Sequence, residues 1–450
     1  MKQRLKPLLS PSGASGWRDR LVRSLWDGYA RTQRAAATTV APRPRATPAT
    51  HAELVAERDR CRRELLDNVL PFWRDHAIDR EHGGYRVHLD RQGRVYEDDA
   101  KYAAMQGRMI YAFSVGEKLV PGGGYRELAE QGVRFLCDHF WDGLTGGGGW
   151  VRTASRAGRP LDTAKFAFDQ AYVTIGLCAW LRVAPDDDAV RERIGATVAF
   201  LDRLWDETDL GYFEAASPDL GTILRRKTIC VELDALAALL DCHEVLGPGS
   251  AHAGERVRTL ADLIAHRMRD RQHGCVLEHF EADWRYDPFF TRDRIEIGHN
   301  LKAAWFLLEA HRRIGDEAHR RAAFELVDFC LRHGWDDAHG GFYQHVFRGG
   351  AVWSTEKLWW PQTEGLAVLA RMHALTGDGR YLALYRRLVT FVVTALQDPV
   401  RGGWIYSAHA DGRPRDERKG AHFKAALHET QGWLFAARCF DEMAKTIEQR

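Results

Sequence analysis

Residues Trp335–Gln344 read WDDAHGGFYQ: two acidic residues, a glycine pair, and an aromatic residue directly behind it. Glycine pairs bounded in this way mark a turn. The turn recurs along the chain. It reads DREHGGYRV at Asp79–Val87, WDGLTGGGGWV at Trp141–Val151 and WDETDLGYFE at Trp205–Glu214. It returns as RDRQHGCVLE at Arg269–Glu278 and QDPVRGGWIYS at Gln397–Ser407. The turn glycines Gly84, Gly149, Gly211, Gly274, Gly341 and Gly403 stand 65, 62, 63, 67 and 62 residues apart. Self-similarity at a fixed period signals a repeat architecture, here six units of roughly 64 residues.

Each unit carries two helical patterns around its turn. The one before the turn is amphipathic, as in YRELAEQGVRFLCDHF (Tyr125–Phe140) and YLALYRRLVTFVVTAL (Tyr381–Leu396). The one after it is apolar nearly all round and rich in small residues, as in FAFDQAYVTIGLCAWL, VELDALAALLDCHEVL and HNLKAAWFLLEAHRRI. A helix apolar on every side is buried, and one with a charged stripe lies outside. Six such pairs predict an all-α (α/α)6 toroid over residues 52–450, with the apolar helices inside and short β-hairpins from the glycine turns at one mouth. An open superhelix of helix pairs is the structural alternative. The count of six and the lack of polar capping repeats favour closure.

Residues 1–51 differ in kind. They are Arg-rich and acid-poor and end in the linker APRPRATPAT. No 7–15-residue apolar core of a secretory signal is present, and an organelle transit peptide is compatible with the composition. The expectation is a partly disordered N-terminal extension with one short helix over Trp17–Arg34. A net charge of +2 on 450 residues argues against nucleic acid or an anionic membrane as partner. No run approaches the 18 apolar residues of a membrane span. Eight scattered cysteines without a CxxC pair fit a reduced, cytoplasmic compartment and no zinc site. The glycines at Gly146–Gly149 lack a following Lys-Ser/Thr, which excludes a phosphate-binding P-loop.

In a toroid, the starts of the inner helices converge on one pocket. The polar residues that would meet there are Arg108; Asp169 and Gln170; Lys227, Glu232 and Asp234; His299 and Lys302; Trp360, Gln362 and Glu364; and His422, Lys424 and His428. The segment IEIGHNLKAAW (Ile295–Trp305) puts His299 and Lys302 three residues apart, on one helix face.

Taken in order, QGRMIYAFS, FDQAYVTIGL, IGHNLKAAWFLLEA, KLWWPQTEGLAVL and KGAHFKAALHETQGWLF resemble the N-acylglucosamine 2-epimerase and cellobiose 2-epimerase superfamily over about residues 60–440. The resemblance implies an (α/α)6 barrel that epimerises or isomerises a small-molecule sugar without a metal or redox cofactor, and a homodimer is common among such proteins. It implies that His299 and His428 are the catalytic pair and that Arg108 holds the developing oxyanion. It further implies that Trp360 and Gln362 or Glu364 line the sugar site, while Lys302, Asp169, Gln170, Glu232, Asp234, His422 and Lys424 are expected around the sugar from their place at the inner-helix starts. Proton abstraction beside an aldehyde needs a base, an acid and oxyanion stabilisation, and histidine suits both proton roles near neutral pH.

Two departures from the family pattern stand out. Lys302 occupies the place of a usual glutamate, and the histidine often found in the third inner helix has no counterpart in KTICVELDAL. A lysine there is expected to repel an imidazolium, keep His299 neutral and attract a modified or anionic sugar. The alternatives are a glycoside hydrolase or lyase using Asp169, Glu232, Asp234 or Glu364 as paired carboxylates, and a sugar-binding protein without turnover.

Overall fold

The computed structural model describes residues 49–97, 100–143, 148–247 and 251–449. The extension read at residues 1–51, with its helix over Trp17–Arg34, lies outside the described residues except for its last three positions. The first described helix opens on a capping box: the Thr50 side chain accepts from the Glu53 amide (3.2 Å), and the Glu53 carboxylate accepts from the Thr50 amide (2.9 Å).

Twelve long helices follow among the described residues. They are α1 (His51–Arg63), α2 (Ala103–Leu119), α3 (Tyr125–Phe140), α4 (Ala167–Leu181), α5 (Asp188–Asp202) and α6 (Ile229–Leu246). Then come α7 (Ala251–Asp262), α8 (Ile297–Ile314), α9 (Glu317–Phe329), α10 (Trp359–Thr376), α11 (Gly379–Phe391) and α12 (Leu427–Glu448). The even-numbered helices are inner and the odd-numbered outer, as their sequence patterns predict. Every residue of α2 from Ala103 to Gly116 is buried, whereas α3 buries only a stripe that includes Tyr125, Ala129, Val133, Leu136 and Phe140. Neighbouring inner helices pack in the order α2, α4, α6, α8, α10, α12, and α12 packs in turn on α1 and α2. The ring is closed, so the open superhelix is excluded. At the α2–α4 crossing the backbones touch: a Cβ on Gly107 would stand 2.4 Å from the Tyr172 carbonyl oxygen.

All six turn glycines have positive φ, from 65° at Gly84 to 87° at Gly211. Each turn is a small antiparallel hairpin, closed by bridges such as Trp141 to Trp150 and Trp335 to Phe342. Two anchors repeat around the ring. First, a buried lysine ahead of the inner helix pairs with the acidic residue of the turn: Lys101 with Asp79 (2.9 Å), Lys165 with Asp142 (2.8 Å), Lys227 with Asp206 (2.8 Å), Lys357 with Asp336 (2.7 Å) and Lys419 with Asp398 (3.0 Å). Second, a side chain in the first turn of the inner helix clamps the turn's backbone. Gln106 accepts from the Tyr85 amide (2.8 Å) and donates to the Tyr85 carbonyl (2.9 Å). Gln170 does the same at Trp150 (2.8 and 2.9 Å) and Gln362 at Phe342 (2.7 and 2.8 Å). Glu232 accepts from the Tyr212 amide (2.9 Å), and Asn300 from the Val276 amide (2.9 Å).

Four residues expected in the pocket therefore belong to the scaffold. Gln170 and Gln362 spend their polar atoms on backbone, Glu232 accepts from the Tyr212 amide with one oxygen, and Lys227 is ion-paired with Asp206. Buried polar groups need partners, and here the turns supply them.

Candidate active site

The first turns of all six inner helices line a cavity of about 260 Å³. Arg108 comes from α2, Tyr172 from α4, Cys230 from α6, His299 and Lys302 from α8, Trp359 and Trp360 from α10, and His428 from α12. A second cavity of similar volume meets it at Phe168, Cys230, His299 and Phe423, and holds Asp169 and His422.

His299 lies between two carboxylates. Its Nδ1 is 2.7 Å from Glu278 Oε2 and 3.3 Å from Glu296 Oε2. The other oxygen of Glu278 accepts from the Glu296 backbone amide (3.0 Å), and the other oxygen of Glu296 stands 3.0 Å from His345 Nε2. Burial works against the charged ring, but Glu278 and Glu296 outweigh it and hold the His299 pKa well above the usual imidazole value. The expectation that Lys302 keeps His299 neutral is thereby overturned. The lysine's charge is spent elsewhere: its ammonium is ion-paired with the fully buried Asp234 and donates to the Tyr172 hydroxyl (3.2 Å).

His428 has the opposite environment. Burial, then Arg108 and Lys302, press its pKa well below the ordinary value. Its Nδ1 lies 3.2 Å from Glu364 Oε1, and burial raises that carboxyl to about 7. In its ionised form that carboxylate accepts from Nδ1–H and leaves the lone pair on Nε2. The Trp360 ring is 5.2 Å from His299 and 6.0 Å from His428, so the indole forms a floor shared by both.

The Arg108 guanidinium lies 3.9 Å over the Tyr172 ring and donates to the Phe423 carbonyl (2.6 Å). Its Nε has no protein partner, and it forms no ion pair among the described residues. A buried cation with spare donors is suited to an oxyanion. Asp169, in the second cavity, is raised to about 7 by burial. His422 faces Tyr102 there at 5.6 Å. Lys424 is a further departure from expectation: it precedes α12, is buried against Glu429, and lies 5.3 Å from the Trp359 ring outside both cavities. Glu278, Glu296 and His299 bring ligand atoms within 4.8 Å of one another, as do Asp262, Asp316 and His319 on the outer helices. In the first set these atoms are already engaged with each other and with the Glu296 amide.

The sequence reading missed Glu278, Glu296, Tyr172 and Cys230. The i,i+3 spacing to His299 is a local signal that could have found Glu296, whereas Glu278 arrives from a separate strand region and has no local signal. A profile of the N-acylglucosamine 2-epimerase family matches residues 83–426. The chain is 28% identical over 395 residues to the N-acylglucosamine 2-epimerase of Rattus norvegicus, covering 81% of this chain and 87% of that one. It is 26% identical over 385 residues to a mannose-6-phosphate isomerase of Rhizobium meliloti, covering 82% and 95%. The structure of a cellobiose 2-epimerase from Bacillus thermoamylovorans superimposes with a TM-score of 0.78 at 21% identity, covering 85% of this chain and 99% of that one. In the described residues, no helix is long and apolar enough to cross a membrane. With a match that spans most of the toroid, this chain belongs to the N-acylglucosamine 2-epimerase family and is a carbohydrate epimerase or isomerase.

Proposed function

We propose that the enzyme moves a proton at the carbon next to the carbonyl of an open-chain, uncharged sugar, with His428 as the base. The observation that carries this reading is the opposite charging of two histidines across one indole. His428 is held neutral with a free Nε2, and His299 is held cationic by Glu278 and Glu296. Nε2 of His428 takes the C2 proton, the C–H electrons form the C1–C2 double bond, and the carbonyl electrons move onto O1. Arg108 and the His299 imidazolium then stabilise the enediolate in a site shielded from bulk water, where fixed charges act strongly. Trp360 offers its face to the sugar's C–H edge.

Charge balance supports a neutral substrate. Around the cavity, Arg108, His299 and Lys302 are countered by Glu278, Glu296 and Asp234. The unpaired lysine on which an anionic sugar was expected is not present. A hydrolytic reading would need two carboxylates facing one glycosidic bond, yet Glu232 is bound to the Tyr212 amide and Asp234 to Lys302. The test is incubation with neutral aldoses in deuterated water, read by NMR. Deuterium entering at C1 or C2, lost in His428→Asn with ligand binding retained, is the expected result. Release of new reducing ends without exchange would refute it.

A further inference from the structure

Inverting C2 and moving the carbonyl from C1 to C2 differ in how many proton-transfer groups they require. In 2-epimerisation the proton leaves one face of the enediolate and returns to the other. Two groups must therefore alternate, each losing and regaining a proton in every cycle. In aldose–ketose isomerisation one group suffices, because the proton lifted from C2 is set down on C1 from the same face.

The cavity contains one group built for that cycle. His428 has a carboxyl group at hydrogen-bond distance, Glu364 at 3.2 Å, and the charges of Arg108, Lys302, Lys424 and His299 all act against a proton on its ring. His299, its counterpart, is gripped at 2.7 and 3.3 Å by Glu278 and Glu296. Neither carboxylate can swing away: Glu278 is fixed by the Glu296 amide at 3.0 Å, and Glu296 is bound to His345 at 3.0 Å. Deprotonating His299 would leave both carboxylates facing a neutral ring in a buried wall. The other titratable groups of the wall fit the role no better. Lys302 is committed to Asp234 and Tyr172, and the Cys230 thiol is kept protonated by burial. The phenols Tyr172 and Tyr406 are also held protonated by burial.

We propose that His428 alone shuttles the proton, that His299 is a fixed cation on the sugar oxygens, and that the enzyme is an aldose–ketose isomerase of 2-hydroxyaldoses. The proposal rests on the proton-transfer reading above. The atoms balance without a co-reactant. C2–H breaks and C1–H forms through His428, while the O2 proton passes to O1 as the C2–O2 bond becomes a carbonyl. The substrate must carry a hydroxyl at C2. A 2-acylamino sugar has no O2 to become a ketone and can only be epimerised.

D-mannose, D-glucose and N-acetylglucosamine are each incubated with the enzyme in deuterated water and followed by NMR from the first per cent of conversion. The expected result is ketose as the first product from the hexoses, with solvent deuterium in one of the two C1 positions and no conversion of N-acetylglucosamine. In Glu278→Gln, which frees His299 to exchange its proton, C2 epimer is expected to appear beside the ketose. A C2 epimer as first product of the wild type, deuterium in both C1 positions, or epimerisation of N-acetylglucosamine would overturn the single-base inference. If no sugar is converted and none takes up deuterium, the proton-transfer reading itself fails.

Discussion

Replacing Glu232 by glutamine is expected to stabilise the fold, and by more as the pH rises. Glu232 is fully buried at the start of α6, where one oxygen accepts from the Tyr212 amide and the other has no partner. In the units around it the same clamp is made by Gln106, Gln170 and Gln362, each of which also donates to the turn carbonyl. Burial raises the Glu232 carboxyl from 4.5 to about 8, against smaller opposing effects from the Tyr212 amide and Lys227. The sign follows from which state binds the proton. The folded acid keeps it up to about pH 8 while the unfolded one releases it from about 4.5, so stability is intact below 4.5 and lost as pH rises toward 8. At pH 7 the loss is 2.303RT over the 2.5 units from 4.5, about 3 kcal/mol. Glutamine does not ionise, and its amide restores the donor the other clamps use. Thermal unfolding of wild type and Glu232→Gln is compared at pH 5 and pH 8. The variant is expected to melt near the wild type at pH 5 and several degrees above it at pH 8. A lower melting temperature at pH 8, or a difference independent of pH, would refute the assignment of Glu232 as a neutral clamp.

Lys302→Met leaves Asp234 buried without its cation and is expected to cost about 3–5 kcal/mol in denaturant unfolding, with most of the loss recovered in Lys302→Met/Asp234→Leu; additive losses would show that the pair is not coupled. Arg108→Ala is expected to lower kcat by about 10²–10³-fold with a smaller change in KM, because the guanidinium acts on charge that develops during the reaction. Its measurement is steady-state kinetics on the sugar found in the exchange assay. The acid limb of kcat/KM is expected well below pH 6.5, since His428 stays unprotonated there. In Glu278→Gln the alkaline limb is expected to move to lower pH, since His299 then loses its proton more readily.

The six glycine turns could be read from the chain because each is a local event: a positive-φ residue, an acidic neighbour and an aromatic one repeat at a fixed spacing. Amphipathic and all-apolar helices are also local patterns, so the assignment of outer and inner helices followed, and closure followed from six. The meaning of the polar residues was harder. Gln170, Gln362, Glu232 and Lys227 look in sequence like Arg108 and His299, polar residues at inner-helix starts. Only the packed turns distinguish a clamp facing backbone from a side chain facing the cavity.

The charge of the site divides in the same way. By itself the sequence determined the toroid, the six helix starts that line its cavity and the presence of His299, Arg108 and His428 among them, because helical periodicity and repeat spacing act over a few residues at a time. The tertiary structure decided which cation meets which anion. Asp234 reaches Lys302 from a different inner helix, and Glu278 reaches His299 from 21 residues upstream. Electrostatic energy depends on distance and burial, not on sequence separation. The lysine expected from sequence to oppose His299 is therefore neutralised by its own partner, and two carboxylates set the histidine's charge.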